Sequence, residues 1–157
     1  MRAFKPLLFV TCLVLAGCGG SGSGGGGGTA AKDDPKVKAL LADLPPAYAA
    51  ADLANGRARF EQCRACHTIA ADGPNMTGPN LYGVFGKPAG TNHPNYTYSA
   101  GLKGSGQTWD AATLDKWITD PRAVVPNTKM SFPGFPSASD RRDVIAYVKV
   151  ASSGGPN

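Results

Sequence analysis

The sequence has no block of basic residues, no acidic run and no apolar stretch of the roughly twenty residues that would cross a bilayer as a helix. Sixteen Lys and Arg against eleven Asp and Glu give a net charge of +5, and two of those basics, Arg2 and Lys5, sit at the extreme N-terminus. So mild and scattered an excess excludes a nucleic-acid partner. Histidine is scarce, at two, and cysteine stands at four. A structural zinc needs four ligands. Beside Cys63, Cys66 and His67 only His93 remains, on a proline-bounded loop, and such a site would be odd and incomplete. Nothing upstream of Cys63 reads as a strand either, so the strand-then-helix setting of a dithiol oxidoreductase is missing.

What is present at the N-terminus is a leader. "MRAFKPLLFVTCLVLAGC" has a short basic stretch and then an apolar run from Pro6 to Ala16, the form of an export signal. Its last four residues, Leu15 to Cys18, resemble the lipobox of bacterial lipoproteins, in which the cysteine receives lipid and cleavage falls just before it. This makes residues 1–17 a signal peptide and Cys18 the expected lipidation site; Cys12 is removed with the leader. The "GGSGSGGGGG" that follows is a flexible polymer unable to build a core, suited to a tether. From Gly19 to Ala51 it would span roughly 30 Å if wholly flexible, although Pro35–Leu44 can form a short docking or spacing helix before Pro45-Pro46. Residues 18–50 are thus expected as anchor, tether and spacer, residues 51–151 as the folded domain, and residues 152–157 as a disordered tail. The anchor implies a cell envelope location, facing the periplasm.

Export and lipidation leave two cysteines in the domain, both in "EQCRACHTI". A disulfide across two residues would be a small strained ring and would leave His67 unexplained. Haem explains all three: each thiol adds across one porphyrin vinyl group to give a thioether, the two-residue spacer matches the vinyl separation, and the adjacent histidine is held against iron. For the opposite face of the iron, Met130 lies far downstream in "PNTKMSFPGF", a loop bounded by Pro126 and Pro133 without the spacing of a core methionine. Met76 is too near His67 in the chain to reach over, and His93, in "TNHPNY", is the competing ligand, its ordinary role being that of a partly exposed loop histidine.

Regular structure is sparse. Asp52 can cap a helix that carries Phe60. "DAATLDKWIT", from Asp110 to Thr119, puts Leu114, Trp117 and Ile118 on one face and is stopped by Asp120-Pro121. "SDRRDVIAYVKVA", from Ser139, puts Val144, Ile145 and Val148 on another, flanked by Tyr147. The long Gly/Pro loops between them argue against a packed fold unless a haem supplies the core they wrap.

These motifs together ("CRACHT", "TGPNLYGVFGKPAG", "YTYSAGLKGSGQTWDAATLDKWITDP", "PNTKMSFPGF", "RRDVIAYVKVAS") resemble the class I c-type cytochromes, and among them the bacterial members similar to mitochondrial cytochrome c. The likeness covers about Ala51 to Ala151. It implies an all-α class I cytochrome c fold around one haem c bound covalently through Cys63 and Cys66, with His67 and Met130 as axial ligands. By the same likeness the Pro79 carbonyl orients the His67 imidazole, Tyr98 and Trp109 bond a buried haem propionate, and Thr128 fastens the methionine loop. Gly56 and Phe60 match positions that pack against the last helix at Tyr147. Three departures stand out. Lys87 replaces an arginine often found near a propionate, losing its bidentate fork. Trp117 replaces a tyrosine near the methionine sulfur. Only Lys87, Lys103, Lys116, Lys129 and Lys149 follow Ala51, so docking would lean less on charge.

The resemblance implies a monomeric electron carrier and not an enzyme, because ligands on both faces leave iron no open position. The expected partners are transient: a quinol-oxidising bc-type complex as donor and a haem–copper oxidase as acceptor, with the lipid holding the carrier at the membrane. Two alternatives stay open at this point, a haem enzyme or gas sensor with a vacant sixth position, and a dedicated electron-input subunit of a periplasmic dehydrogenase.

Overall fold

A computed structural model describes residues 32–155, so the leader, Cys18 and the Gly-rich stretch lie outside the described residues. The helices delimited among the described residues are α1 Pro35–Ala42, α2 Leu53–Arg64, α3 Ala100–Lys103, α4 Ala111–Thr119, α5 Pro121–Val124 and α6 Ala138–Ala151, with a 3₁₀ turn over Pro46–Ala50 between the first two. Among the described residues there is no strand beyond a single bridge, Pro88 to Thr108, and no helix is long and apolar enough to cross a membrane.

Side chains that cap backbone N–H groups set the helix starts. Asp52 accepts from the N–H groups of Ala54 and Asn55 at α2, and Asp110 exchanges a reciprocal pair with Thr113 at α4. Asp120 both ends α4 and caps α5, where Pro121 takes the first position. The last helix begins one residue after Ser137, slightly earlier than its sequence pattern suggests, because the Ser137 hydroxyl accepts from the Asp140 N–H at 3.2 Å.

The frame is the crossing of α2 and α6. Gly56 allows it: a methyl there would collide with the Asp143 carbonyl and reach Tyr147 Cβ at 2.8 Å. One turn on, the Phe60 and Tyr147 rings pack with centroids 5.3 Å apart. Asp143, 3% exposed, pins the crossing by accepting from the Asp52 N–H at 3.0 Å and the Asn55 amide at 2.8 Å. Arg141 ties α6 to Asp115 of α4 at 2.8 Å.

Burial along α6 is nearly continuous from Asp143 to Val148, broader than one amphipathic stripe, because two cores lie against it. The first gathers Phe60, Trp109, Trp117, Phe135, Val144 and Val148 around the loops. The second holds Ile145, Ala146 and Val150 against Val37, Leu44, Tyr48 and Ala51. The stretch expected as a spacer is therefore docked, with Val37 fully buried. The chain end, expected as a disordered tail over 152–157, is fastened as far as Gly155. Ser152 is fully buried, its carbonyl accepts from the Gly83 N–H at 2.7 Å, and the Gly155 N–H donates to the Val150 carbonyl at 2.9 Å.

Candidate functional site

The last turn of α2 delivers the two cysteines. Cys66 and His67 both donate backbone N–H groups to the Cys63 carbonyl, at 3.0 and 2.9 Å, so the chain turns off the helix with the motif wound tightly. The loop beyond it doubles back: the Gly78 N–H donates to the Cys66 carbonyl at 2.8 Å and the Leu81 N–H to the Thr68 carbonyl at 2.8 Å. Asn80, 1% exposed, is the knot of this loop. Its amide donates to the Ala70 and Gly73 carbonyls at 2.8 and 2.7 Å, while its side-chain oxygen accepts from the Tyr82 N–H at 2.6 Å. Sequence reasoning missed it; the only signal was its place beside Pro79.

The knot sets Pro79 against His67. The imidazole Nδ1 lies 2.7 Å from the Pro79 carbonyl oxygen, and since a carbonyl can only accept, Nδ1 carries the proton and Nε2 keeps its lone pair. Burial holds the ring below the ordinary histidine pKa, against the opposing hydrogen bond to Pro79. The imidazole is thus neutral near pH 7. Gly78 makes room for it, since a methyl at that position would press on the ring edge. Burial, and then the neighbouring Cys66, push the Cys63 thiol up to about 12. A thiol so raised is a poor nucleophile for disulfide exchange.

A cavity of about 250 Å³ opens beside the motif, lined by Cys63, Cys66, His67 and Pro79 on one side and by Thr128 and Met130 on the other. Tyr98 and Trp109 line it as well, with Leu81, Leu102, Trp117, Phe132 and Val148 among its apolar walls. Every expected site residue within the described part of the chain therefore meets at one cavity. His93 does not line it, although its backbone N–H donates to the Tyr98 hydroxyl oxygen at 3.1 Å, leaving the phenol proton available. The His93 side chain is partly exposed, but its Nε2 is buried with no partner among the described residues. Met76 is 47% exposed, away from the cavity, and Lys87 is exposed outside it.

The methionine loop is tied at several points. The Thr128 hydroxyl accepts from the Met130 N–H at 3.2 Å, and the Thr128 N–H donates to the Val125 carbonyl at 3.0 Å. Lys129 donates to the Thr97 carbonyl at 2.9 Å, and Tyr96 to the Thr77 carbonyl at 2.6 Å, joining the loops around the cavity. Downstream, Gly134 has φ +93°, a conformation that favours glycine. A methyl there would strike the Thr119 carbonyl, while the Phe135 N–H donates to the Ile118 carbonyl at 2.8 Å. Trp109 and Trp117 pack edge to face, 5.4 Å between centroids.

The residues fit a haem. The imidazole lone pair is fixed by a backbone carbonyl, the paired cysteines are adjacent, the walls are apolar, and a glycine leaves the space that a methyl would take.

Three comparisons with known proteins bear on this geometry. A family model described as Cytochrome c matches residues 53–152. A cytochrome c2 from Rhodomicrobium vannielii is 46% identical over 102 residues, covering 65% of this chain and 81% of that protein. A cytochrome c homolog from Bradyrhizobium diazoefficiens is 44% identical over 102 residues; the match covers 65% of this chain but only 55% of the relative's length. Among solved structures, cytochrome cH from Methylobacterium extorquens superposes with a TM-score of 0.58 at 45% identity, over 62% of this chain and 97% of that one.

Proposed function

The chain belongs to the cytochrome c family, and from that premise we propose that it carries single electrons between membrane respiratory complexes, taking them from a quinol-oxidising bc-type complex and passing them to a haem–copper oxidase. The fold is that of a class I cytochrome c, and the cofactor is haem c, held covalently through cysteines. The chain is an electron carrier and not an enzyme, with transient redox partners.

In this reading Cys63 and Cys66 are the thioether attachments and His67 and Met130 the two axial ligands. Bound haem c supplies one-electron exchange between ferric and ferrous iron. The protein's own part is to hold, orient and keep dry. The Pro79 carbonyl fixes the imidazole plane and makes the ring more basic. Thr128 holds the methionine loop in register, and a thioether ligand favours the ferrous state and raises the potential. Tyr98 and Trp109 supply O–H and N–H donors for a propionate, and the apolar walls disfavour the extra charge of the oxidised form.

The observation that carries the reading is that His67, fixed by Pro79 at 2.7 Å, shares one apolar cavity with both cysteines and Met130. Cys18 is the proposed lipid anchor, placing the carrier in the cell envelope on the periplasmic side. Docking of residues 35–50 leaves only the chain before Asp34 to serve as a tether, shorter than the sequence suggested. A tether of that kind raises local concentration at the membrane without adding contacts. The direct test is turnover with membranes. Ascorbate-reduced holoprotein should be oxidised by membranes containing a haem–copper oxidase and re-reduced by quinol through a bc-type complex; exchange with neither would overturn the partner assignment.

A further inference from the structure

Residues 34–50 precede the part of the chain that matches the family, yet they are built into the body. Asp34 caps α1, and the Lys36 ammonium donates to the Gly154 carbonyl at 2.6 Å. Val37 is fully buried, and Leu44 and Tyr48 are each 9% exposed. The Tyr48 hydroxyl donates to the Ala111 carbonyl at 3.4 Å, at the first residue of α4. Asp43 pairs at 3.1 Å with Lys149, whose ammonium also sits 5.3 Å from the centre of the Phe85 ring.

None of these residues lines the haem cavity; they lie against its outer wall. Asp43, Leu44 and Pro45 close a cleft of about 360 Å³ whose far side includes Phe85, Ala111 and Trp109. Trp109 is common to that cleft and to the haem cavity. The core formed with the N-terminal segment also reaches the cavity through Leu114 and Ile118, which pack against both cores and line the cavity themselves. A segment outside the shared domain thus touches the back of the wall that the shared domain presents to its cofactor.

We propose that residues 34–50 are a positioning strap that holds the start of α4 against the haem cavity from behind and walls off the cleft at the outer face of Trp109. Undocking it admits water to the outer face of Trp109. A wetter wall stabilises the extra charge of the ferric state, so the potential falls. The proposal rests on the reading that Trp109 faces the haem.

The test uses the full-length holoprotein with Leu44→Ala, Tyr48→Phe and, as the strong perturbation, Val37→Asp. The readouts are the midpoint potential and hydrogen exchange at the Trp109 and Leu114 amides. With the strap loosened, both amides should exchange roughly tenfold faster or more and the midpoint should shift downward, in the order Tyr48→Phe, Leu44→Ala, Val37→Asp. Should Val37→Asp fail to fold, the two milder variants still decide. A fall in melting temperature with potential and Trp109 exchange unchanged would overturn the proposal, reducing the strap to a stability clamp. A Trp109→Phe holoprotein separates the underlying reading: a changed midpoint supports Trp109 as a haem contact, whereas an unaltered one overturns that contact, and the strap's role with it, whatever the strap variants do.

Discussion

Replacing Gly78 with alanine puts one methyl group against the edge of His67. The added carbon would lie 2.7 Å from both ring nitrogens and closer still to the carbon between them. The backbone cannot retreat, because the Gly78 N–H is held by the Cys66 carbonyl at 2.8 Å and its carbonyl accepts from the Met76 N–H at 2.8 Å. The ring must move, and moving it lengthens the 2.7 Å hydrogen bond to Pro79. Alanine restricts the unfolded chain and would gain about 0.4–1 kcal/mol on that account. Against this stand about 1–3 kcal/mol for overpacking and about 0.5–1.5 kcal/mol for the weakened hydrogen bond. Overpacking decides the sign, for a net loss of about 2 kcal/mol, or roughly 8 °C in melting temperature for a domain of this size. An imidazole freed from Pro79 is a less basic ligand, supports the ferric state less, and so raises the potential. Thermal unfolding of the ferric holoprotein followed in the Soret band, together with a redox titration, reads both effects. A variant that melts with the parent at an unchanged potential would refute the placement of His67 between Gly78 and Pro79.

Gly56→Ala should cost about 2 kcal/mol by chemical denaturation, although alanine is the better helix former by about 1 kcal/mol, because the methyl meets the Asp143 carbonyl. Equal or greater stability would show that α2 and α6 cross elsewhere. Burial alone would raise the Asp143 pKa, but hydrogen bonds from Asn55, the Asp52 N–H and Arg142 outweigh it and hold the carboxyl below its ordinary value. The stability it contributes is present above about pH 4 and is lost as pH falls through the lower folded value. Asp143→Asn should therefore lower stability at pH 7 and flatten its decline in acid, as denaturation midpoints across pH would record. Thr128→Ala removes the hydroxyl that accepts from the Met130 N–H. It should speed displacement of the methionine by added imidazole, measured by stopped-flow absorbance. Cys18→Ser should move the protein from the membrane to the soluble fraction of an exporting host; retention at the membrane would exclude the lipid as its anchor.

The parts of this molecule that sequence made legible are those written in contiguous residues. The Cys-x-x-Cys-His run names its own chemistry. The Asp110 and Asp120-Pro121 boundaries of α4 rest on local capping and ring constraints, and both ends fall where those rules put them. Gly56 is marked by the family resemblance, which matches it to a position packed against the last helix. What stayed hidden depends on partners distant in the chain. Asn80 looks like any loop asparagine until the fold brings three backbone groups around its side chain. Val37 and Tyr48 sit in a short, weakly patterned stretch, and nothing local says that Ile145 and Val150 await them. The fastening of Ser152 depends likewise on Gly83, a residue in a distant loop.

Ligation of one covalently bound haem by His67 and Met130 can be read from the absorption spectrum of the oxidised holoprotein beside that of Met130→Ala. The parent should show the sulfur-to-iron charge-transfer band, and the variant should lose it while its midpoint potential falls. A parent without the band, or a variant that keeps both band and potential, would contradict the assignment.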